Sequence, residues 1–112
     1  MSQVTLRYLA TAEPGLRWMR TYHRRNPQLD VIRAVDALRR AEAVLRAHPN
    51  AGHRYEDYEA VRELKIMGTA FSLLYTVARD TIWVVDVRDQ RGLRSAEALR
   101  SFVAELGAKS DE

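Results

Sequence analysis

Three apolar runs at residues 59–67, 70–77 and 81–88 are separated only by Gly68-Thr69 and Ala78-Arg79-Asp80. Each run is rich in Val, Ile, Leu, Phe, Tyr or Trp, and gaps this short suit hairpin turns. The centre of the chain therefore reads as an antiparallel three-stranded meander. Alternation assigns Leu64/Ile66, Phe71/Leu73/Tyr75/Val77 and Trp83/Val85/Val87 to an apolar face. A slip of one residue would send any of these sets to the other side. Gly92 is placed at the end of the sheet.

Other elements must meet that face. Residues 4–9 begin with apolar–polar alternation and fit a short strand. Thr11 is placed as the cap of a first helix, with Glu13 and Pro14 in the opening turn, where the helix dipole favours an acid. Leu16, Met19 and His23 share one side of it, Trp18 and Tyr22 lie alongside, and Arg17, Arg20, Arg24 and Arg25 fill most of the rest. Asn26-Pro27 reads as a break, then as the cap and first position of a second helix over 27–47. Val31, Leu38 and Leu45 recur there every seven residues, with Ala34, Val35 and Ala41 between them. Two helices joined this closely form a hairpin, whose apolar seam must lie on something flat. After the meander, Ser95 opens a last helix with Leu99, Phe102, Val103 and Leu106 as its apolar stripe and Gly107 as its stop. The expected order is β-α-α-β-β-β-α. The class is α+β: a helical hairpin packed on a small antiparallel sheet, plus a C-terminal amphipathic helix. Residues 1–94 would form the main domain and 95–112 the C-terminal helix and tail.

At 112 residues, with 29% charged and 46% hydrophobic side chains, the composition is that of one globular domain. Cysteine is absent, which excludes disulfide scaffolds, thiol nucleophiles and the usual structural zinc sites. His23, His48 and His53 fall on different elements, so neither a metal nor a cofactor is expected. No apolar run approaches the roughly 18 residues of a membrane span. The N-terminus lacks the basic-then-apolar pattern of a secretory signal, and a cytoplasmic location is expected. Net charge is +3, made of +5 over residues 1–56 and −2 over 57–112, and 16 of the 18 cations are Arg. Arg suits bidentate contact with carboxylate or phosphate, and equally a solvated helix face.

Four stretches, taken in order, resemble the RelE/ParE superfamily of type II toxin–antitoxin toxins. Tyr22 near the end of the first helix is followed by Asn26-Pro27 at the turn. Residues 45–52, Leu-Arg-Ala-His-Pro-Asn-Ala-Gly, resemble the family's Leu-x-x-x-Pro-x-x-Gly exit from the second helix. Val61-Arg62-Glu63-Leu64-Lys65-Ile66 is similar to its Arg-Glu-Leu strand. Residues 71–77 and 82–91 resemble its aromatic-x-x-x-Tyr strand and its Val-Arg-His-Gln-Arg end. The resemblance spans about residues 4–92, and its wording is closer to the ParE-like, plasmid-stabilisation branch.

That resemblance implies a growth-inhibiting toxin silenced by a cognate antitoxin in a hetero-oligomer. It leaves two mechanisms and a non-toxic relic open. A ParE-like protein would bind DNA gyrase and needs no catalytic set. A RelE-like protein would cut mRNA on the ribosome, using cations to stabilise the phosphorane charge. In that case Lys65, Arg88 and Arg91 would carry the chemistry. Ser72 stands where that pattern has an Arg, and Asp89 where it has a His, both poor at holding a phosphate. The antitoxin is expected to fold as a helix onto the apolar stripe of Leu99, Phe102, Val103 and Leu106. Arg62 is expected to pair with Asp86 across the sheet. Tyr55, Asp57, Tyr58 and Glu59 are expected to form a loop over the sheet edge.

Overall fold

The computed structural model describes residues 4–56 and 58–92. They form β1 (Thr5–Tyr8), α1 (Glu13–Arg25), α2 (Val31–Ala47), β2 (His53–Tyr55), β3 (Tyr58–Lys65), β4 (Phe71–Ala78) and β5 (Thr81–Asp89), with a 3₁₀ turn at Ala10–Ala12 before α1. The strands make one sheet in the order β1-β5-β4-β3-β2, and the fold is α+β. The C-terminal helix, its stripe of Leu99, Phe102, Val103 and Leu106, and the boundary after residue 94 lie outside the described residues.

The meander forms as the short gaps require, with β3 antiparallel to β4 and β4 to β5. Two features differ from expectation. First, β1 pairs with β5 in parallel, Thr5 opposite Thr81 through Tyr8 opposite Val84, so the sheet is mixed. The chain leaves β1 through both helices before it returns, which is the kind of long crossover parallel neighbours need. Second, the expected edge loop is a hairpin. His53 and Arg54 of β2 face Glu63 and Arg62 of β3, and Glu56 turns the corner at φ 48°.

A bulge splits one of the expected apolar sets. Between β4 and β5 the register passes from Leu74–Asp86 to Tyr75–Val84, leaving Val85 without an opposite residue. An extra residue reverses the alternation beyond it. Ile82, Val84 and Val87 consequently pack in the helix-side core with Ile66, Phe71, Leu73 and Tyr75, while Val85 joins Tyr55, Val61 and Leu74 in a second cluster. Trp83, Val85 and Val87 do not share a face.

Both helices start later than their sequence signals suggest. Thr11 does not cap α1; its hydroxyl donates to Val85 O at 2.9 Å, and Ala12 holds the cap position without a side-chain bond. Asn26 closes α1 instead of opening α2, its Nδ2 donating to Tyr22 O at 2.7 Å. The cap of α2 is Asp30, whose carboxylate accepts from Arg33 N at 3.2 Å. Ala34, Ala37, Ala41 and Leu45 turn inward, whereas Val31 and Val35 remain 48% and 44% exposed. α1 lies against β5 at Gly15, where an added Cβ would sit 2.6 Å from Val87 O and 2.8 Å from Asp86 Oδ1. No other residue permits that approach without moving the strand.

A second close approach ties the exit of α2 to the sheet. Gly52 N donates to the buried Tyr75 hydroxyl at 2.9 Å, and that hydroxyl donates onward to Pro49 O at 2.9 Å. Arg62 Nη1 donates to Gly52 O at 2.7 Å. Arg62 is thus held by this turn and not by Asp86, whose Oδ1 accepts from Val87 N beside Gly15. Burial pushes the Tyr75 phenol above its ordinary pKa, so it stays a neutral donor through physiological pH. Replacing Tyr75 by Phe removes both hydroxyl bonds and leaves the Gly52 N–H unsatisfied. The expected cost is about 1–3 kcal/mol, read as a lower urea midpoint with an unchanged slope.

Candidate functional site

The residues proposed for phosphoryl chemistry sit on two sides of the sheet. Lys65 faces Ser72, and Ser72 faces Arg88, so these three form one row across β3, β4 and β5. Asp89, the last residue of β5, points to the face opposite Arg88 because successive strand side chains alternate, and Arg91 lies two residues beyond it in the turn. Its contacts are with α1: the guanidinium lies 3.8 Å from the centre of the Tyr22 ring and pairs with Asp89, which also binds Trp18. The structure brings Lys65 and Arg88 onto one row and leaves Arg91 apart from it.

Within that row Arg88 and Ser72 are already engaged. Arg88 Nη1 donates to Glu63 Oε2 at 2.7 Å and lies 5.7 Å from the Tyr55 ring centre. This hydrogen bond holds the Arg88 proton more tightly than in a free guanidinium. His53 Nε2 lies 3.5 Å from the other oxygen of Glu63. Ser72 is buried and its hydroxyl accepts from Gln90 Nε2 at 2.6 Å. Tyr55 stacks on Tyr58, with ring centres 6.0 Å apart. Burial, then the charge of Glu56, pushes the Tyr55 phenol up, away from any role as a base near neutrality. Lys65 is exposed. A carboxylate beside Arg88 opposes the approach of a phosphate, and the row offers no free base next to a free acid.

The helix side holds a different arrangement. Asp89 is fully buried. Its Oδ2 accepts from Trp18 Nε1 at 2.9 Å and from Arg91 Nη2 at 2.7 Å; its Oδ1 accepts from Arg91 N at 3.0 Å and Arg91 Nε at 2.9 Å. Burial alone would raise the carboxyl pKa. The hydrogen bonds from the Arg91 side chain, Trp18 and the Arg91 amide, with the Arg91 charge, outweigh it and bring the value to about 2. Every acceptor direction is used, so this is a clasp between α1 and the end of β5.

Among the grooves beside the helices, two have largely apolar walls. One of about 240 Å³ lies between α1 and α2 and is floored by Leu16, Met19, Ala34 and Leu38. The other, about 720 Å³, lies between α2 and the end of β3, with Ala41, Val44, Leu64 and Met67 among its walls. The heptad pattern of α2 pointed to the apolar seam. The clasp is not legible in the sequence because Asp89 stands where the motif has a histidine and its partner Trp18 lies far away along the chain, on α1. Glu63 was missed as the partner of Arg88 because that pairing runs across three strands.

Among the described residues no three His, Asp or Glu side chains gather as metal ligands. No described helix is long and apolar enough to cross a membrane.

No family model and no curated protein matches the sequence. Among solved structures, a chain described as "Chromosomal ParDE TA system from P. aeruginosa" superimposes with a TM-score of 0.64 at 18% identity, over 78% of this chain and 96% of that one. The fold is therefore RelE/ParE-like.

The clasp makes stability depend on acid. The folded Asp89 carboxyl titrates at about 2 against an ordinary 3.8, so the unfolded chain binds more protons between those values. The stabilisation is complete above about pH 4 and is lost as the pH falls toward 2. Denaturation midpoints should drop across that window in the native chain and change less in Asp89→Asn. Arg91→Ala should cost about 1–2 kcal/mol near neutral pH, a figure discounted for the partial exposure of the guanidinium.

Proposed function

We propose that the chain is a ParE-like toxin of a type II toxin–antitoxin system, acting in the cytoplasm on DNA gyrase and neutralised by a cognate antitoxin. The observation that carries this reading is the match to 96% of the length of a chain from a ParDE system. The sheet supports a binding protein over a nuclease. Arg91 is bound to Asp89 and Arg88 to Glu63, so two of the three candidate cations are neutralised by their own neighbours. A gyrase-directed toxin needs no such set, and it tolerates Ser72 and Asp89.

A second reading has one observation in its favour. Lys65, Ser72 and Arg88 share a row on one face, as a RelE-like ribosome-dependent mRNA endoribonuclease would arrange two of its cations. The two mechanisms separate in cells and in vitro. Inducing the chain alone should give filamentation and DNA damage, and the purified protein should inhibit supercoiling by gyrase. Lys65→Ala combined with Arg88→Ala should leave that inhibition within about twofold of the native value, a change below 0.5 kcal/mol. Arrest of translation within minutes, abolished by the double variant, would establish the nuclease. Harmless expression of folded protein would identify a relic.

A further inference from the structure

The buried residues of α2, Ala34, Ala37, Ala41 and Leu45, mark the side of the helix that faces the core. At about 100° per residue, Ile32, Asp36, Arg39 and Ala43 fall within roughly 60° of one another on the opposite side. All four are exposed, Ile32 at 74%. Their spacing of four, three and four residues is that of a coiled-coil seam, and none of them lines the groove between α1 and α2. Ile32 stands near one end of the seam and the small Ala43 near the other, with an acid and a base between them. Among the described residues, neither the Asp36 carboxylate nor the Arg39 guanidinium has a hydrogen bond or ion pair; Arg40, one turn on, donates to the backbone oxygen of Asp36 at 3.4 Å. Glu42 and Arg33, by contrast, are engaged, Glu42 by the Tyr8 hydroxyl at 2.6 Å and Arg33 beside Asp30 at 3.6 Å. The charges at the centre of the outer face are open to a partner.

The seam is complementary to itself, in one direction only. In a parallel pair of α2 helices the same positions would meet, setting Asp36 against Asp36 and Arg39 against Arg39, and like charges across an interface oppose association. In an antiparallel pair the twofold axis passes between Ala37 and Leu38. Ile32 of one copy then meets Ala43 of the other, and Asp36 meets Arg39. A large apolar side chain covers a small one, an acid faces a base, and symmetry repeats both contacts. A nucleic acid would meet Asp36 in the middle of the seam, where its phosphates are repelled. We propose that the outer face of α2 joins two copies of this chain as an antiparallel helix pair. One helix face from each copy is a small contact, below the roughly 1,200 Å² of a standard interface, so the dimer is weak. Its ion pairs fix direction and register more than they add affinity. The contact stands apart from the toxin reading, since it calls for no target and no antitoxin.

The test is sedimentation equilibrium of the full chain from about 10 µM to about 1 mM at low salt, which should show monomer and dimer in exchange and a dimer that weakens as salt is raised. Asp36→Arg and Arg39→Asp should each weaken the dimer at least about tenfold, although they move the net charge in opposite directions. Asp36→Arg combined with Arg39→Asp re-forms both ion pairs with their ends exchanged, and should return the dimer to within about threefold of the native value. Ile32→Asp should weaken it by about tenfold or more. All three positions are exposed, and unchanged far-ultraviolet circular dichroism checks that each variant folds. A chain that stays monomeric throughout overturns the proposal and leaves the face to a different protein. So does a dimer that either single reversal leaves intact, or that the double variant fails to restore, since the copies would then meet elsewhere. Gyrase inhibition plays no part in the readout, so neither result bears on the toxin reading.

Discussion

A carboxylate shut away from water orders this molecule. Asp89 has no solvent exposure, and its oxygens are satisfied by Trp18 from α1 and by Arg91 from the turn after β5. A buried charge without such partners would cost several kcal/mol. The end of β5, the α1 face and the chain reversal at Gly92 must therefore arrive together. Arg91 adds a stacking contact on Tyr22, and Gly15 lets the same helix touch the strand backbone farther along. With α1 fixed in this way, α2 can close only over the remaining part of the sheet, and the groove between the helices follows from its small Ala34 and from the exposed Val31 and Val35.

The motif residues do structural work at two places. Pro49, Gly52, Arg62 and Tyr75 lock the exit of α2 onto β3 and β4, and Asp89 with Arg91 locks α1 onto β5. Pro49, Gly52, Arg62, Tyr75 and Arg91 are among the positions that carried the resemblance in the sequence, whereas Asp89 departs from it. The clasps engage Arg62 and Arg91, and an ion pair engages Arg88.

The meander was legible because apolar runs separated by two or three residues leave the chain no other arrangement. The helical hairpin was legible from the seven-residue recurrence of Val31, Leu38 and Leu45. Its boundaries were not, since Thr11 and Asn26 each had two possible uses, and tertiary acceptors decided between them: Val85 O for Thr11 and Tyr22 O for Asn26. The parallel pairing of β1 was hidden because strand direction depends on the crossover and not on the strand's own residues. Val85 was misplaced because a bulge leaves no mark in an apolar run. For the site, the identities of Lys65, Arg88 and Arg91 were readable, but their separation onto two faces was not, because it turns on alternation at the end of β5 and on partners distant in sequence.

The most direct test of this account is an NMR titration of the Asp89 carboxyl carbon in the folded protein. A midpoint at about 2, accompanied by shifts of the Trp18 indole resonance, is the predicted result. A midpoint at or above the ordinary carboxyl value would mean that Trp18 and Arg91 do not enclose Asp89, and that α1 is held to the sheet by something else.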